Sequence, residues 1–431
     1  MGSDGDDSQP GPHGVEIERR RVTVGYVPLA DCAPLAVAQR LGFFQSEGLE
    51  VSLSAEPSWA NIRDKIQLGQ LDAAQMLAPM PLAASLGIDG RATPMLTALT
   101  LNLNGNGITV AHPLYERMQA LAPGSLAQSP VSAEALAAVI ADRRARAEPP
   151  LRLATVYPFS THAYQLRYWL SAASIDPDRD VCLRVVPPPL MATHLRAGWI
   201  DGYCVGEPWN SAAVVGGDGR TLITSHELWA NGQEKVLGVT AAWAERHPNT
   251  HRALIRALLS ACQWLDQSAN RAAVARILSE GAYVDVSASV LERSLTGAFA
   301  YAPGEPVTQV DDLLVFHRYA ANFPWRSHTL WYASQMARWG HLPAGVDLSA
   351  AVQQAVRPDL FREAAAEVGL LCPDEDMKLE GEHDAPWSLE TAGGVIAMGP
   401  DRFFDGTRFD PWQPHEYLAR LPVSSARASA G

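Results

Sequence analysis

The sequence predicts an α/β protein built from two similar lobes. Three observations carry that expectation: a βαβαβ pattern at the start, an echo of its second half further along, and a polar, glycine-containing break between two strands that reads as a crossover. A chain of 431 residues has room for two or three domains' worth of core.

Residues 21–28 (RVTVGYVP) alternate as a strand. Asp31 is placed to cap a helix carrying Val37, Ala38, Leu41 and Phe44. Gly48 ends that helix, and residues 49–53 make a second strand. Trp59, Ile62 and Ile66 form one face of the next helix, which stops at Gly69, and a third strand runs to Met76. Residues 99–110 (LTLNLNGNGITV) read as two strands with a kink between them, where the chain crosses between lobes. Residues 123–146 are Ala-rich and helical. After a strand at 151–157, Ser160 and Thr161 open a helix whose apolar face is Leu166, Trp169, Leu170 and Ala173.

Residues 185–210 (VVPPPLMATHLRAGWIDGYCVGEPWN) then give a strand end, a proline-enforced turn and a short helix through Met191 and Leu195. A stop at Gly198, a strand over 199–205 and a loop follow. In this stretch the echo is explicit. Residues 67–76 line up with 196–205, about 129 positions later, pairing Gly69 with Gly198, Leu71 with Ile200 and Asp72 with Asp201; beyond them Pro79 pairs with Pro208. Residues 235–243 read as a strand returning to the first lobe, helices dominate from 252 to about 370, and FFDGTRFDPWQPHEYL reads as an irregular wrap finished by a short helix. The expected organisation is a disordered tail (1–20), the first part of lobe 1 (21–110), lobe 2 (111–235), and the return to lobe 1 with a helical C-terminal region (236–431).

Composition narrows the function classes. Net charge is −13, and of 34 basic residues only Lys65, Lys235 and Lys378 are lysines. That balance argues against general binding to nucleic acid or anionic membrane, yet allows one local cationic pocket. Five scattered cysteines (Cys32, Cys182, Cys204, Cys262, Cys372) without a CxxC pair suggest free thiols of a reducing compartment rather than a disulfide framework or zinc site. The first 21 residues hold no apolar core of an export signal, and no stretch approaches the roughly 18 apolar residues of a membrane helix, so a cytoplasmic protein is expected. No phosphate-binding GxxxxGK[ST], HExxH or GxSxG signature is present, so neither an ATPase subunit, a catalytic site nor a metal or cofactor is expected.

Candidate ligand residues sit at loops and helix starts. Thr161 and His162 lie where backbone N–H groups and the helix dipole favour an anion, with surface decoration as the plain alternative. Trp59, opening a helix after Pro57-Ser58, serves equally as core or as a pocket wall. Lys235, beside Glu234, reads by default as a solvated lysine, and Asn104 and Asn106 as turn formers. His226-Glu227 and His383-Asp384 read as surface or capping pairs.

Six segments, in order, carry a family resemblance: VGYVPLADCAPLAVAQRLGFFQSEGLEV, EPSWANIRDKIQLGQLDAAQMLAPMP, HAYQLRYWL, VVPPPLMATHLRAGWIDGYCVGEPWN, ELW with EKV, and FFDGTRFDP. They resemble the nitrate/bicarbonate branch of ABC-transporter solute-binding proteins, over residues 21–421. The resemblance implies a type II periplasmic-binding-protein fold with ligand in the cleft between the lobes. It implies that Trp59, Asn106 or Asn104, His162, Gly206 and Lys235 surround the anion. Asparagine at the crossover departs from the family's usual glutamine. Lys235, where bicarbonate binders carry an acid that helps hold calcium, implies nitrate or nitrite. The N-terminus as written is similar to the cytoplasmic NasS-type nitrate/nitrite sensors, which implies an ANTAR-type antiterminator (NasT-like) as protein partner. A nitrate-transporter binding component and a pyrimidine-synthase-like enzyme on the same fold are the alternatives; the enzyme's cysteine cluster is missing here.

Overall fold

The computed structural model describes residues 16–280, 283–343 and 345–421. Two main sheets take their long strands from β1 (Arg21–Tyr26), β2 (Glu50–Ala55), β3 (Ala73–Leu77), β4 (Met95–Asn104), β5 (Asn106–Ala111), β6 (Leu151–Thr155), β7 (Val181–Val185), β8 (Gly202–Gly206), β9 (Gly219–Thr224) and β10 (Gln233–Thr240). In lobe 1 the order is β2-β1-β3-β10-β4, with the short strand Leu314–Val315 outside β4; in lobe 2 it is β7-β6-β8-β5-β9. β1 pairs parallel with β2 and β3, and β6 pairs parallel with β7 and β8. The fourth strand of each sheet is antiparallel and arrives from the other lobe: β10 lies on β3, and β5 lies on β8.

Those two arrivals are the crossovers. Gly105 alone separates β4 from β5, at φ +101. A Cβ there would meet the Leu314 side chain at 2.6 Å, so a larger residue would be both strained and crowded. The second crossover leaves β9 through the short helix Ser225–Leu228, capped reciprocally by Thr224 and Glu227, and enters β10.

The echo maps onto equal local roles. Helices Trp59–Gln67 and Met191–Arg196 both end on left-handed glycines, Gly69 and Gly198, at φ +69 and +65. Next, Asp72 exchanges hydrogen bonds with Thr23 on β1: its N–H donates to the Thr23 carbonyl at 2.9 Å, and its carboxylate accepts the Thr23 N–H at 2.8 Å. Asp201 does the same with Arg152 on β6, at 2.7 Å in both directions. Each aspartate extends a sheet by one side-chain rung, a charge-assisted one, at the start of a central strand.

Several expectations need correction. Asp31 caps nothing: helix Ala33–Arg40 starts without a side-chain cap, Asp31 lies in the 3-10 turn Ala30–Cys32 that follows β1, and it is buried. That helix also stops at Arg40, and Phe44 belongs to a separate short helix, Phe43–Ser46. The expected strand over 199–205 begins only at Gly202; Trp199 is 57% exposed on the turn before it. The loop after Gly206 is only the turn Glu207-Pro208, and helix Trp209–Val215 follows it at once.

The lobe boundaries also shift. β5 belongs to the second sheet from Asn106 and β10 to the first from Gln233, so residues 106–224 supply the whole sheet of lobe 2. Of the expected disordered tail, residues 1–15 lie outside the described residues. Residues 16–20 are tied down rather than free: Ile17 is buried, and the Glu18 carboxylate accepts the N–H groups of Asn249 and Thr250 at the start of helix Pro248–Leu265.

Candidate functional site: a buried charge cluster between the lobes

The carboxyl ends of β1, β3 and β8 and the starts of two helices meet between the sheets. From lobe 1 come Asp31 (after β1), Trp59 (first residue of its helix), and Glu234 and Lys235 on β10. Lobe 2 adds Asn106 on β5, Thr161, His162 and Gln165 on helix Thr161–Ala172, and Gly206 at the end of β8. Ser58 and Ser160 fix the two helix starts, accepting the N–H of Asn61 (3.3 Å) and of Ala163 (2.9 Å) respectively.

Lys235 is the centre of the set, and it is fully buried rather than solvated. Its Nζ lies 2.7 Å from Asp31 Oδ2 and 2.7 Å from Glu234 Oε1, with the Trp59 ring centroid at 5.5 Å. Burial alone would strip the ammonium of its proton, but the two carboxylates outweigh it and raise the lysine pKa. Gln75 on β3 holds the far side of Asp31, donating to Oδ1 at 2.7 Å. Glu234 accepts from Thr161 Oγ1 at 2.5 Å on Oε1, and from Asn106 Nδ2 at 2.7 Å on Oε2. Asn106 Nδ2 also reaches Gln165 Oε1 at 2.9 Å. Burial raises the Glu234 pKa, with Lys235 pulling the other way and Asp31 adding to the rise. Burial, then Lys235, press the His162 pKa well below its ordinary value, so the imidazole is neutral.

Among the described residues, Trp59 Nε1, His162 Nε2 and Asn106 Oδ1 of this cluster are buried without a hydrogen-bond partner. Unsatisfied buried groups of this kind cost about 1–3 kcal/mol each, and here all of them sit on side chains of one cluster. Gly206 lets the backbone close in, since a Cβ there would come 2.9 Å from Leu29, 3.4 Å from Asn106 Oδ1 and 3.6 Å from Asp31 Oδ2. The arrangement can enclose a small polar ion against an indole face and offer it N–H donors out of contact with water.

Of the six residues singled out in the sequence, the structure brings Trp59, Asn106, His162, Gly206 and Lys235 together. Asn104 goes elsewhere: at φ +59 its side chain donates to the Asp312 carbonyl (2.8 Å) and to Asn231 Oδ1 (3.1 Å). The sequence reading missed Asp31, Gln75, Thr161 as a Glu234 partner, Gln165 and Glu234 itself. Among the described residues, no group of three or more His, Cys, Asp or Glu is arranged to hold a metal, and no helix is long and apolar enough to cross a membrane.

Comparison with known proteins gives a consistent picture. Residues 16–279 match the model of the NMT1-like family. The chain is 37% identical over 413 residues to the nitrate import ATP-binding protein NrtC of Synechocystis; the match covers 94% of this chain but only 56% of that relative, so the chain spans little more than half its length. It is 32% identical to the nitrate/nitrite binding protein NrtA of Nostoc, covering 95% of this chain and 87% of the relative. To the bicarbonate-binding protein CmpA of Synechococcus elongatus it is 30% identical, covering 95% and 88%. The crystal structure of the periplasmic nitrate-binding protein NrtA from Synechocystis superposes with a TM-score of 0.82 at 29% identity, over 94% of this chain and all of that one.

Proposed function

The chain belongs to the NMT1-like family, in its nitrate/bicarbonate group of ABC-transporter solute-binding proteins, and on that premise we propose that it binds nitrate or nitrite in the cleft and serves as the solute-binding component of an import system. One observation carries the ligand reading: among the described residues Trp59 Nε1 and His162 Nε2 are buried without a hydrogen-bond partner, on side chains packed about the buried Lys235. A planar monoanion with weakly accepting oxygens needs such donors plus a nearby positive charge to offset its desolvation. Micromolar affinity corresponds to a net of about 8 kcal/mol, within reach of one ammonium, the indole N–H and wall of Trp59, and His162 once its Nε2 carries a hydrogen.

The import role rests on what the relatives are named for, and it displaces the sensor as first choice. Bicarbonate is the competing ligand, favoured by the 30% identity to CmpA and opposed by Lys235. Titration calorimetry of the purified protein with nitrate, nitrite and bicarbonate, the last with and without calcium, decides between them. Micromolar heats for nitrate or nitrite are expected; a signal for bicarbonate alone would overturn the assignment.

The sensor reading stays as a second proposal because all five cysteines are free thiols, as a reducing cytoplasm favours. There, an anion that closes the cleft would release an ANTAR-type partner bound to the open form, and a coupling of about 3 kcal/mol gives a hundredfold switch. Size-exclusion chromatography with such an antiterminator, with and without millimolar nitrate, tests it; a complex indifferent to nitrate would remove the sensor.

A further inference from the structure

Hydrogen-bond direction inside the cluster restricts what the site can accept. The Thr161 hydroxyl has one proton, and it points to Glu234 Oε1 at 2.5 Å. Its oxygen, 3.2 Å from His162 Nδ1, is therefore the acceptor of that contact. In a neutral imidazole the proton then sits on Nδ1 and leaves Nε2 bare, an acceptor, 3.7 Å from the acceptor Glu234 Oε1. Nitrate and nitrite only accept. A bare Nε2 repels them, and so does the charge count: Lys235 is one cation against Asp31 and Glu234.

One proton removes both obstacles. We propose, resting on the oxyanion reading above, that the site takes its anion together with one proton, and that the Glu234–Thr161–His162 chain holds that proton. Placed on Glu234, it donates to Thr161 Oγ1; the hydroxyl turns to donate to Nδ1; and the imidazole carries its single hydrogen on Nε2, aimed at the ligand. The net change is one proton added and one carboxylate charge cancelled. The groups facing Glu234 are Lys235 on its own strand, Asp31 after β1, His162 and Thr161 on their helix, Asn106 on β5, Cys204 on β8 and Tyr332 on helix Arg326–Arg338. Of these only Lys235 is cationic, and its charge is already shared with Asp31. Burial already raises the Glu234 pKa, in keeping with such a role.

The experiment is nitrate calorimetry on the full chain in buffers of different ionisation enthalpy, from about pH 6 to about pH 8, for the wild type and Glu234→Gln. Gln at 234 offers Thr161 an N–H, the counterpart of the protonated acid. The wild type should take up about one proton per nitrate and weaken about tenfold per pH unit as pH rises. Glu234→Gln should bind with no proton uptake and an affinity independent of pH. Nitrate binding by the wild type without proton uptake overturns the inference and leaves the ligand reading intact. Uptake that persists undiminished in Glu234→Gln overturns the assignment to this chain of residues. No heat from nitrate or nitrite at any pH overturns the ligand reading, and the inference falls with it.

Discussion

Lobe 1 brings Asp31, Trp59, Glu234 and Lys235 to the cleft, whereas lobe 2 brings Asn106, Thr161, His162, Gln165 and Gly206. The two sheets share one strand order and one aspartate rung, yet every full charge of the cluster stands on the same side. His162, neutral through its lowered pKa, keeps lobe 2's share of the cluster free of charge. Opening the cleft therefore leaves the Lys235 ion pairs whole and, within the cluster, breaks only hydrogen bonds. Hydrogen bonds that join the lobes include Thr161 and Asn106 to Glu234, the Ala30 N–H to the Glu207 carbonyl at 2.8 Å, Trp209 Nε1 to the Pro28 carbonyl at 3.3 Å, Tyr157 Oη to Asp89 at 2.9 Å and Arg63 Nη1 to Tyr157 Oη at 3.4 Å. Splitting an ion pair across a moving boundary would add several kcal/mol of desolvation to each cycle. Likeness of the backbone thus constrains the fold, while the division of side chains sets how the lobes can separate.

Four experiments can break or sharpen this comparison. The largest effect should come from Lys235→Met, which strands two buried carboxylates within lobe 1. Unfolding free energy should fall by about 3–5 kcal/mol in urea titration, and nitrate binding should vanish. A stability within 1 kcal/mol of wild type, on the order of an exposed pair, would mean that the charges are not confined there.

Next come the matched aspartates. Asp72→Ala and Asp201→Ala should each cost about 1–3 kcal/mol, with Asp72 the costlier. Its carboxylate also accepts Trp243 Nε1 at 3.2 Å and is less exposed, 10% against 24% for Asp201. Equal losses, or the reverse order by urea titration, would show that the two rungs are not set by burial.

Acid should weaken both sides of the molecule. His251, in helix Pro248–Leu265, and His341, whose Nδ1 lies 3.0 Å from Tyr164 Oη, are both held down to a pKa of about 4, chiefly by burial. A histidine depressed in the folded state stabilises fully above its unfolded value of about 6.5. That contribution is lost as pH falls toward about 4, because the unfolded chain binds the proton first. Unfolding free energy at pH 5 should therefore sit below that at pH 7, by about 2 kcal/mol for each histidine and about 4 kcal/mol for the two together. A flat profile across that window would refute it.

The smallest effect belongs to Tyr157→Phe, which removes a bond between the lobes without touching the ligand cluster. Anion affinity should fall about fivefold, equivalent to about 1 kcal/mol, with the urea midpoint unchanged. Loss of fold stability instead would place Tyr157 among the structural contacts of one lobe.

Much of the architecture was legible because it rests on local pattern. The Trp59–Ile62–Ile66 stripe, the left-handed glycines and the echoed Asp72 and Asp201 are short-range facts. The cluster was harder to see, because its meaning depends on pairs far apart in sequence. Lys235 looked solvated beside Glu234; its burial requires Asp31, about 200 residues earlier. Asp31 looked like a helix cap by residue type, although its place just past the carboxyl end of β1 is where α/β proteins keep ligand-binding groups. That positional rule was the available signal. Nothing local marked Glu234, Gln75 or Gln165, whose roles exist only once the lobes meet.

Because β5 through β9 form one unbroken stretch, lobe 2 is in effect a cassette spliced into lobe 1 between Asn104 and Gln233. On a ribosome the order of completion follows from that. The sheet of lobe 2 has every strand once residue 224 has emerged, while lobe 1 waits with β3 and β4 held apart until β10 slides between them. The strand that carries Glu234 and Lys235 is thus the last long rung of the older half, with only the short Leu314–Val315 strand to follow at the edge. The ligand site comes into being at the moment the first-made lobe is finally closed.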